Sequence, residues 1–462
     1  MYKLTVFLTA TLLALAGCGG MESWIHKDVN SSFTENKFSK QELAADLAYL
    51  KKQMAERHPA YPEFIDQQAI DNKHAFIESQ LKDGMTRQEF FRIAGKINPL
   101  FNDGHSFIFP LLAETSFDKK SGHKMFPFRL TVNGGRLYLE HSYARKSDPI
   151  RLDKGTEIIS INGVFSSDLL NELQSYSHGE TEELRKHMAT LLFPYWLNAL
   201  WDFKDHFHLR IKTQQQQMSL ELTPLDQWEM ADGQAQDNWF RVLPQNIAYL
   251  RLGTFDVGAE SADYSELIQT SFTEIADKRI DKLIIDVRGN TGGQTDAGAE
   301  VISYLTNTTI HQSAKATEKL TQDTNGLFGY KGKPGETIEL DVLNAESIKP
   351  ADKHLRFGGK AVVLINEMTY SAGIVFATTV QDHQLATLMG QATGGHANQT
   401  GNLVPFYLPN TKLLVLAPSR YIIRASGSHK KQPVQPDIMT DYQAASEQDH
   451  TLLAASVLLQ QK

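Results

Sequence analysis

The apolar positions of this chain follow three successive periods. From Ser39 to about residue 115, leucines, alanines and isoleucines recur at helical intervals. Ser39 with Glu42, and Thr86 with Glu89, have the spacing of reciprocal helix caps. Pro99 ends or bends the second of these helices and delivers the chain into F-N-D-G-H-S-F-I-F. A helical N-terminal domain over 39–115 is expected. Over 116–180 the period shortens to two. F-P-F-R-L-T-V and R-L-Y-L flank Asn133-Gly134-Gly135, and I-I-S-I-N-G-V closes on an Asn-Gly turn. That predicts a small β-module, with Pro127 at a sheet edge or just outside the sheet.

Residues 181–240 read as a connecting segment with a hairpin, H-F-H-L-R-I-K and M-S-L-E-L-T around T-Q-Q-Q-Q. Over 241–440 strand and helix alternate. I-A-Y-L-R-L precedes a helix near 263–277, K-L-I-I-D-V-R precedes one near 295–305, and A-V-V-L-I precedes a third. Strands this apolar predict an α/β domain whose sheet is covered on both faces. Residues 441–462 are expected to form a C-terminal helix.

The N-terminus has its own pattern. Lys3 precedes thirteen residues rich in Leu and Ala, ending in Leu15-Ala16-Gly17-Cys18. This is the arrangement of an export signal and is short for a membrane span. Cys18 is the single cysteine of the chain, which excludes an internal disulfide framework. The stretch resembles a bacterial lipobox. The resemblance implies a signal peptide over 1–17, lipid on Cys18 as membrane anchor, and a polar tether over 18–38. Gly19 in place of an aspartate favours the outer membrane, facing the periplasm.

Composition narrows the partners. With 462 residues, 41% hydrophobic and 22% charged, the chain is long enough for two or three folded domains. A net charge of −8 gives no electrostatic reason to expect nucleic acid. Phosphate-loop and dinucleotide spacings are both missing. The sequence carries no signal for an oligomeric state.

Three stretches carry candidate chemistry. In I-I-D-V-R-G-N-T-G-G a buried strand runs into a glycine pair, so the amide of Gly292 or Gly293 can face an anion. In N-E-M-T-Y-S-A-G-I, Ser371 stands where a strand becomes a helix, either as a cap or as a nucleophile, with the Ala372 N–H beside it. In N-D-G-H-S, His105 offers an imidazole suited to taking a hydroxyl proton.

These motifs, followed by L-M-G-Q-A-T-G-G and V-Q-P-D-I, resemble the S41 family of serine peptidases, which includes the tail-specific (C-terminal processing) and tricorn-type proteases. The resemblance covers most of residues 85–440. It implies a ClpP/crotonase-like core, a PDZ-like module over 116–180, and a polypeptide substrate, without metal or organic cofactor. Ser371 matches the nucleophile, His105 the base of the histidine-using branch, and Gly292, Gly293 and Ala372 the oxyanion hole. Tail-specific proteases use a lysine where this chain has His396, which leaves His396 as an alternative base or substrate contact. The glutamate that tricorn-like members carry before Pro-Asp-Ile is missing, its place falling near Lys430. Asp103 or another acid is left to orient the imidazole. The alternative reading is a catalytically inactive S41-like lipoprotein that binds peptides or an apolar ligand.

Overall fold

The computed structural model describes residues 22–147, 149–231, 237–325, 330–345, 347–440 and 448–461. The expected signal peptide and Cys18 lie outside the described residues, as does the start of the 441–462 segment. Among the described residues no helix is long and apolar enough to cross a membrane.

Both predicted capping boxes form. The Ser39 hydroxyl accepts the Glu42 N–H at the head of helix Lys40–Arg57 while the Glu42 side chain takes the Ser39 N–H, and Thr86 with Glu89 does the same for Arg87–Ala94. That second helix tightens into a 3-10 turn, Gly95–Phe101, which contains Pro99. A residue without an N–H cannot continue the α-helical ladder, so the shorter repeat takes over. Asn102 then adopts a left-handed conformation and turns the chain towards His105.

The segment expected to be a tether is corrected over its described part. Val29 and Phe38 are buried, and Trp24, Ile25 and Phe33 pack on the same core. The Tyr407 hydroxyl donates to the Trp24 carbonyl at 2.9 Å, and the Glu22 carboxylate pairs with Lys120. Five sizeable apolar side chains in a short polar stretch gain more from burial than from solvent, at roughly 1.5–3 kcal/mol for each one fully buried.

The β-module is larger than expected. Its antiparallel sheet runs Gln217–Leu222, Phe207–Lys212, Glu157–Ile161, Arg136–Leu139, Leu130–Asn133, with Val164–Phe165 also paired to the third strand. The hairpin assigned to the connecting segment therefore completes this sheet, because Phe207, Leu209 and Ile211 alternate into its buried face. Helices Ser166–Gln174, Glu182–Leu191 and Phe193–Trp201 are inserted between its halves. Pro127 falls outside the strand. One continuous core joins the helical region, this module and residues 406–417.

The main sheet has the order Asn238–Leu243, Ile247–Leu252, Lys282–Asp286, Lys360–Ile365, Thr387–Gly390, Ile438–Met439. Its first pair is antiparallel and the others are parallel. Helices Ser261–Asp277, Thr295–Ser303 and Ala372–Asp382 cover one face, where Leu250, Ile285 and Val363 point. Helix His450–Gln460 covers the other, over Tyr249, Ile284 and Leu364. A second, antiparallel sheet was not predicted: Thr337–Leu340, Ser313–Lys319, Leu414–Arg424 and Gln399–Tyr407. Phe107–Ile108 joins it through Leu416 and Val415, so the residues just after His105 are stitched to the second sheet.

Candidate active site

The functional loops leave the carboxyl ends of the parallel strands, where open α/β sheets place their ligands. After Ile365 the polar residues of N-E-M-T tie one loop to the next. The Asn366 side chain accepts the Gly289 N–H at 2.8 Å, the Thr369 hydroxyl donates to the Val287 carbonyl at 2.9 Å, and the Tyr370 N–H donates to the Asn290 carbonyl at 2.8 Å. Ser371 follows with φ 51° and ψ −120°, a strained backbone for a residue with a Cβ. Its side chain makes no capping bond to the helix that it precedes. Gln399 pins it by donating to the Ser371 carbonyl at 2.8 Å. The hydroxyl thus stands at the positive end of Ala372–Asp382, free of cap duty.

His105 meets it from a different part of the chain. Nε2 lies 3.2 Å from Ser371 Oγ, and Nδ1 lies 3.0 Å from Thr400 Oγ1 and 3.2 Å from the Tyr370 hydroxyl. Thr400 donates its proton to Asp103 Oδ1 at 2.8 Å, so its oxygen is left to accept Nδ1–H. The network therefore assigns the proton to Nδ1 and a lone pair to Nε2, the tautomer that a base for Ser371 needs.

Asp103 supplies the carboxylate that the sequence lacks near Lys430. It is fully buried and accepts from Thr400, from the Ser106 hydroxyl at 2.7 Å and from the His105 backbone N–H at 3.0 Å. His58 adds a fourth bond at 3.1 Å; its Nδ1 accepts the Ala60 N–H, so Nε2 is the donor. Burial opposes the charge, but the His105 and His58 imidazoles outweigh it and hold Asp103 well below the usual carboxylate range.

Two amides of the adjoining loop and helix are left undonated. The N–H groups of Gly293 and Ala372 make no hydrogen bond among the described residues. The Gly292 N–H is already donated to Asn290 Oδ1 at 2.9 Å, so Gly292 is corrected from donor to spacer. A Cβ on Gly292 would lie 2.6 Å from Ser371 Cβ, and one on Gly293 would strike the Phe255 backbone at 2.0 Å. Both positions have positive φ, 113° and 132°, and hold glycine for close approach.

The remaining titratable groups lie around this centre, His178 buried and Glu180 and His396 half-buried. Burial and the Asp103 charge push the Glu180 carboxyl up to about 8; it accepts from the Tyr370 hydroxyl at 3.1 Å and the Gly104 N–H at 3.3 Å. Burial takes His178 down to about 3; its ring stacks on Phe107 at 3.6 Å and neither nitrogen has a partner among the described residues. His396 is lowered by burial and by Lys431, and its Nδ1 is also unpartnered. It faces Phe64, with ring centroids 6.4 Å apart, and makes no hydrogen bond to Ser371 among the described residues.

The fold therefore brings together Ser371, His105, Gly292 and Ala372, with Gly293 next in the loop and Asp103 behind. Sequence reasoning missed His58, Thr400, Glu180 and Gln399. Thr400 and Gln399 lie just past His396, in H-A-N-Q-T, and had no motif to flag them. Phe406 and Leu408 are buried in the core.

Residues 246–440 match the family model described as Peptidase family S41. The chain is 27% identical over 151 residues to the chloroplastic C-terminal processing peptidase of Tetradesmus obliquus, covering 33% of this chain and 26% of that protein. It is 28% identical over 152 residues to the carboxyl-terminal-processing protease of Synechocystis sp., covering 33% and 28%. These matches thus span about a quarter of the relatives' lengths. Among solved structures, mature CPAF superposes with a TM-score of 0.62 at 15% identity, over 91% of this chain and 96% of that one. At that identity the likeness shows a shared mixed α/β fold.

Proposed function

We propose that this chain is a serine peptidase that hydrolyses peptide bonds through an acyl-enzyme on Ser371. The observation that carries the reading is the 3.2 Å contact between His105 Nε2 and Ser371 Oγ, made at a helix N-terminus beside two undonated amides. Each part has a step to perform. His105 takes the hydroxyl proton as Oγ attacks the substrate carbonyl, and Asp103 stabilises the imidazolium through Thr400. The Gly293 and Ala372 N–H groups receive the oxyanion. His105 then passes its proton to the leaving amine, and a water deprotonated by the same imidazole releases the acyl group.

The finer assignments belong to the same proposal. The main sheet and its helices are read as a ClpP/crotonase-like core, and the module around Arg136–Leu139 and Glu157–Ile161 as PDZ-like. Lipid on Cys18 would restrict the substrates to polypeptides of the bacterial cell envelope, with the enzyme on the outer membrane facing the periplasm. The inactive-binder reading drew on a missing acid, and the position of Asp103 favours the enzyme.

The test is mass spectrometry of the soluble protein, lacking its lipid signal, after exposure to a fluorophosphonate and a diverse peptide library, with S371A alongside. An adduct on Ser371 together with Ser371-dependent cuts is expected. A folded wild type that shows neither would return the reading to a binding protein.

A further inference from the structure

We propose that Glu180 is a second orienting group for His105, acting through the Tyr370 hydroxyl as Asp103 acts through Thr400; this rests on the serine hydrolase reading above. The mechanism leaves Glu180 unused, although its half-buried side chain lies two hydrogen bonds from the base. Tyr370 donates its proton to Glu180, 3.1 Å from Oε1 and 3.4 Å from Oε2, so its oxygen is left to accept from His105 Nδ1 at 3.2 Å. Two hydroxyls therefore share one imidazole N–H, each committed to a carboxyl behind it. The Tyr370 ring also stacks on the imidazole with centroids 4.9 Å apart, which fixes the plane in which that N–H points.

The two carboxyls differ in what surrounds them. Asp103 has four donors and holds its charge. Glu180 has the Tyr370 hydroxyl and the Gly104 N–H, and Asp103 faces it as a like charge. From its own segment it is approached by Arg185, whose charge favours ionisation and whose guanidinium donates to the Gly179 carbonyl at 2.9 Å, while the buried His178 lies by Asp103 and His105. Burial and Asp103 prevail, and Glu180 keeps its proton to about pH 8. Below that pH the Tyr370 arm ends in a neutral acid. Above it the arm ends in an anion, the tyrosine hydroxyl donates to a full charge, and the imidazolium formed as Ser371 gives up its proton is better stabilised. The arm is thus a proton-gated addition to the Asp103 arm.

The experiment measures the second-order rate of fluorophosphonate labelling of Ser371 across the neutral and alkaline range, by intact mass, for wild type, E180Q, E180D and Y370F. The wild-type rate is expected to rise by roughly three- to tenfold on the alkaline side, the modest effect of one added charge on general-base catalysis, with a midpoint near pH 8. E180Q and Y370F should lack this rise, and E180D should recover part of it. An alkaline rise unchanged in E180Q overturns the assignment, as does a variant whose rate falls by the same factor at every pH, the mark of a merely structural role. A wild type that never labels overturns the hydrolase reading itself, and is distinguished by the lack of any adduct.

Discussion

Asp103 Oδ1 lies 3.6 Å from His105 Nδ1, just beyond direct hydrogen-bonding reach, and the Thr400 hydroxyl fills the gap. The acid therefore orients its base through an intermediary. D103N removes the charge and reverses the donor pattern around Oδ1, and should lower kcat by roughly 10²–10⁴-fold. T400V breaks the relay and should cost less, while T400S keeps the hydroxyl and most of the rate. Steady-state cleavage of an activated ester reads all three, and near-wild-type turnover in D103N would remove Asp103 from the mechanism.

The two histidines offered by the sequence separate in a similar assay. H105A should abolish most of the chemical step, by roughly 10²–10⁴-fold, because no other imidazole reaches Ser371 Oγ among the described residues. H396A should act mainly on KM, because His396 packs by Phe64 and makes no hydrogen bond to Ser371 among the described residues. Single-turnover kinetics separates the two effects, and a collapsed chemical step in H396A would reassign the base.

Gly292 and Gly293 should fail in different ways. The methyl of G292A would sit 2.6 Å from Ser371 Cβ and 3.1 Å from its Oγ, so activity should be lost while most of the fold remains. The methyl of G293A would strike the Phe255 backbone at 2.0 Å in a conformation that alanine avoids, so stability should fall as well, by roughly 1–3 kcal/mol or more. Labelling and urea melts on both variants check the distinction. An active G292A would mean that the loop is looser than its contacts require.

Glu180 and His178 make opposite demands on stability as pH changes. Glu180 holds its proton to about 8 in the folded chain and to about 4.3 in the unfolded one. The folded state binds the extra proton in that window, so stability declines as pH rises through it, at up to roughly 1.4 kcal/mol per unit. His178 stays neutral down to about 3 when folded and charges near 6.5 when unfolded, so stability declines as pH falls below about 6.5. Between about 4.3 and 6.5 the two slopes oppose each other. E180Q should remove the loss between pH 6.5 and 8 and expose the acid-side loss due to His178. Urea unfolding near pH 5, 6.5 and 8 tests this, and a wild-type slope retained in E180Q would show that Glu180 is ionised in the folded protein.

What the sequence announced was local. Capping boxes at Ser39 and Thr86 and the apolar runs of the main sheet depend on residues within one turn or one strand of each other, so pattern alone exposes them. The reacting atoms of Ser371 and His105 were named because each sits in a distinctive turn. The support behind them depends on pairings across the chain. Thr400 reaches His105 because Phe107–Ile108 joins the strand Leu414–Arg424, which in turn pairs with Gln399–Tyr407. His58 and Glu180 arrive from other elements, and neither has a local pattern that distinguishes it from a surface residue. The hairpin Phe207–Leu222 was recognised as a hairpin, yet its sheet was not, since three helices separate it in sequence from its partner strand Glu157–Ile161.

The seating of Trp24, Ile25 and Val29 bears on how the molecule would stand at a membrane. If Cys18 carries lipid, Glu22, which accepts from the Ser116 hydroxyl, is four residues away, and four residues reach at most about 14 Å. Such a leash does not let a body of this size tumble freely above a bilayer. With such an anchor one flank would be held against the surface, and the direction from which a polypeptide could enter the cleft would be set by where the leash is fastened.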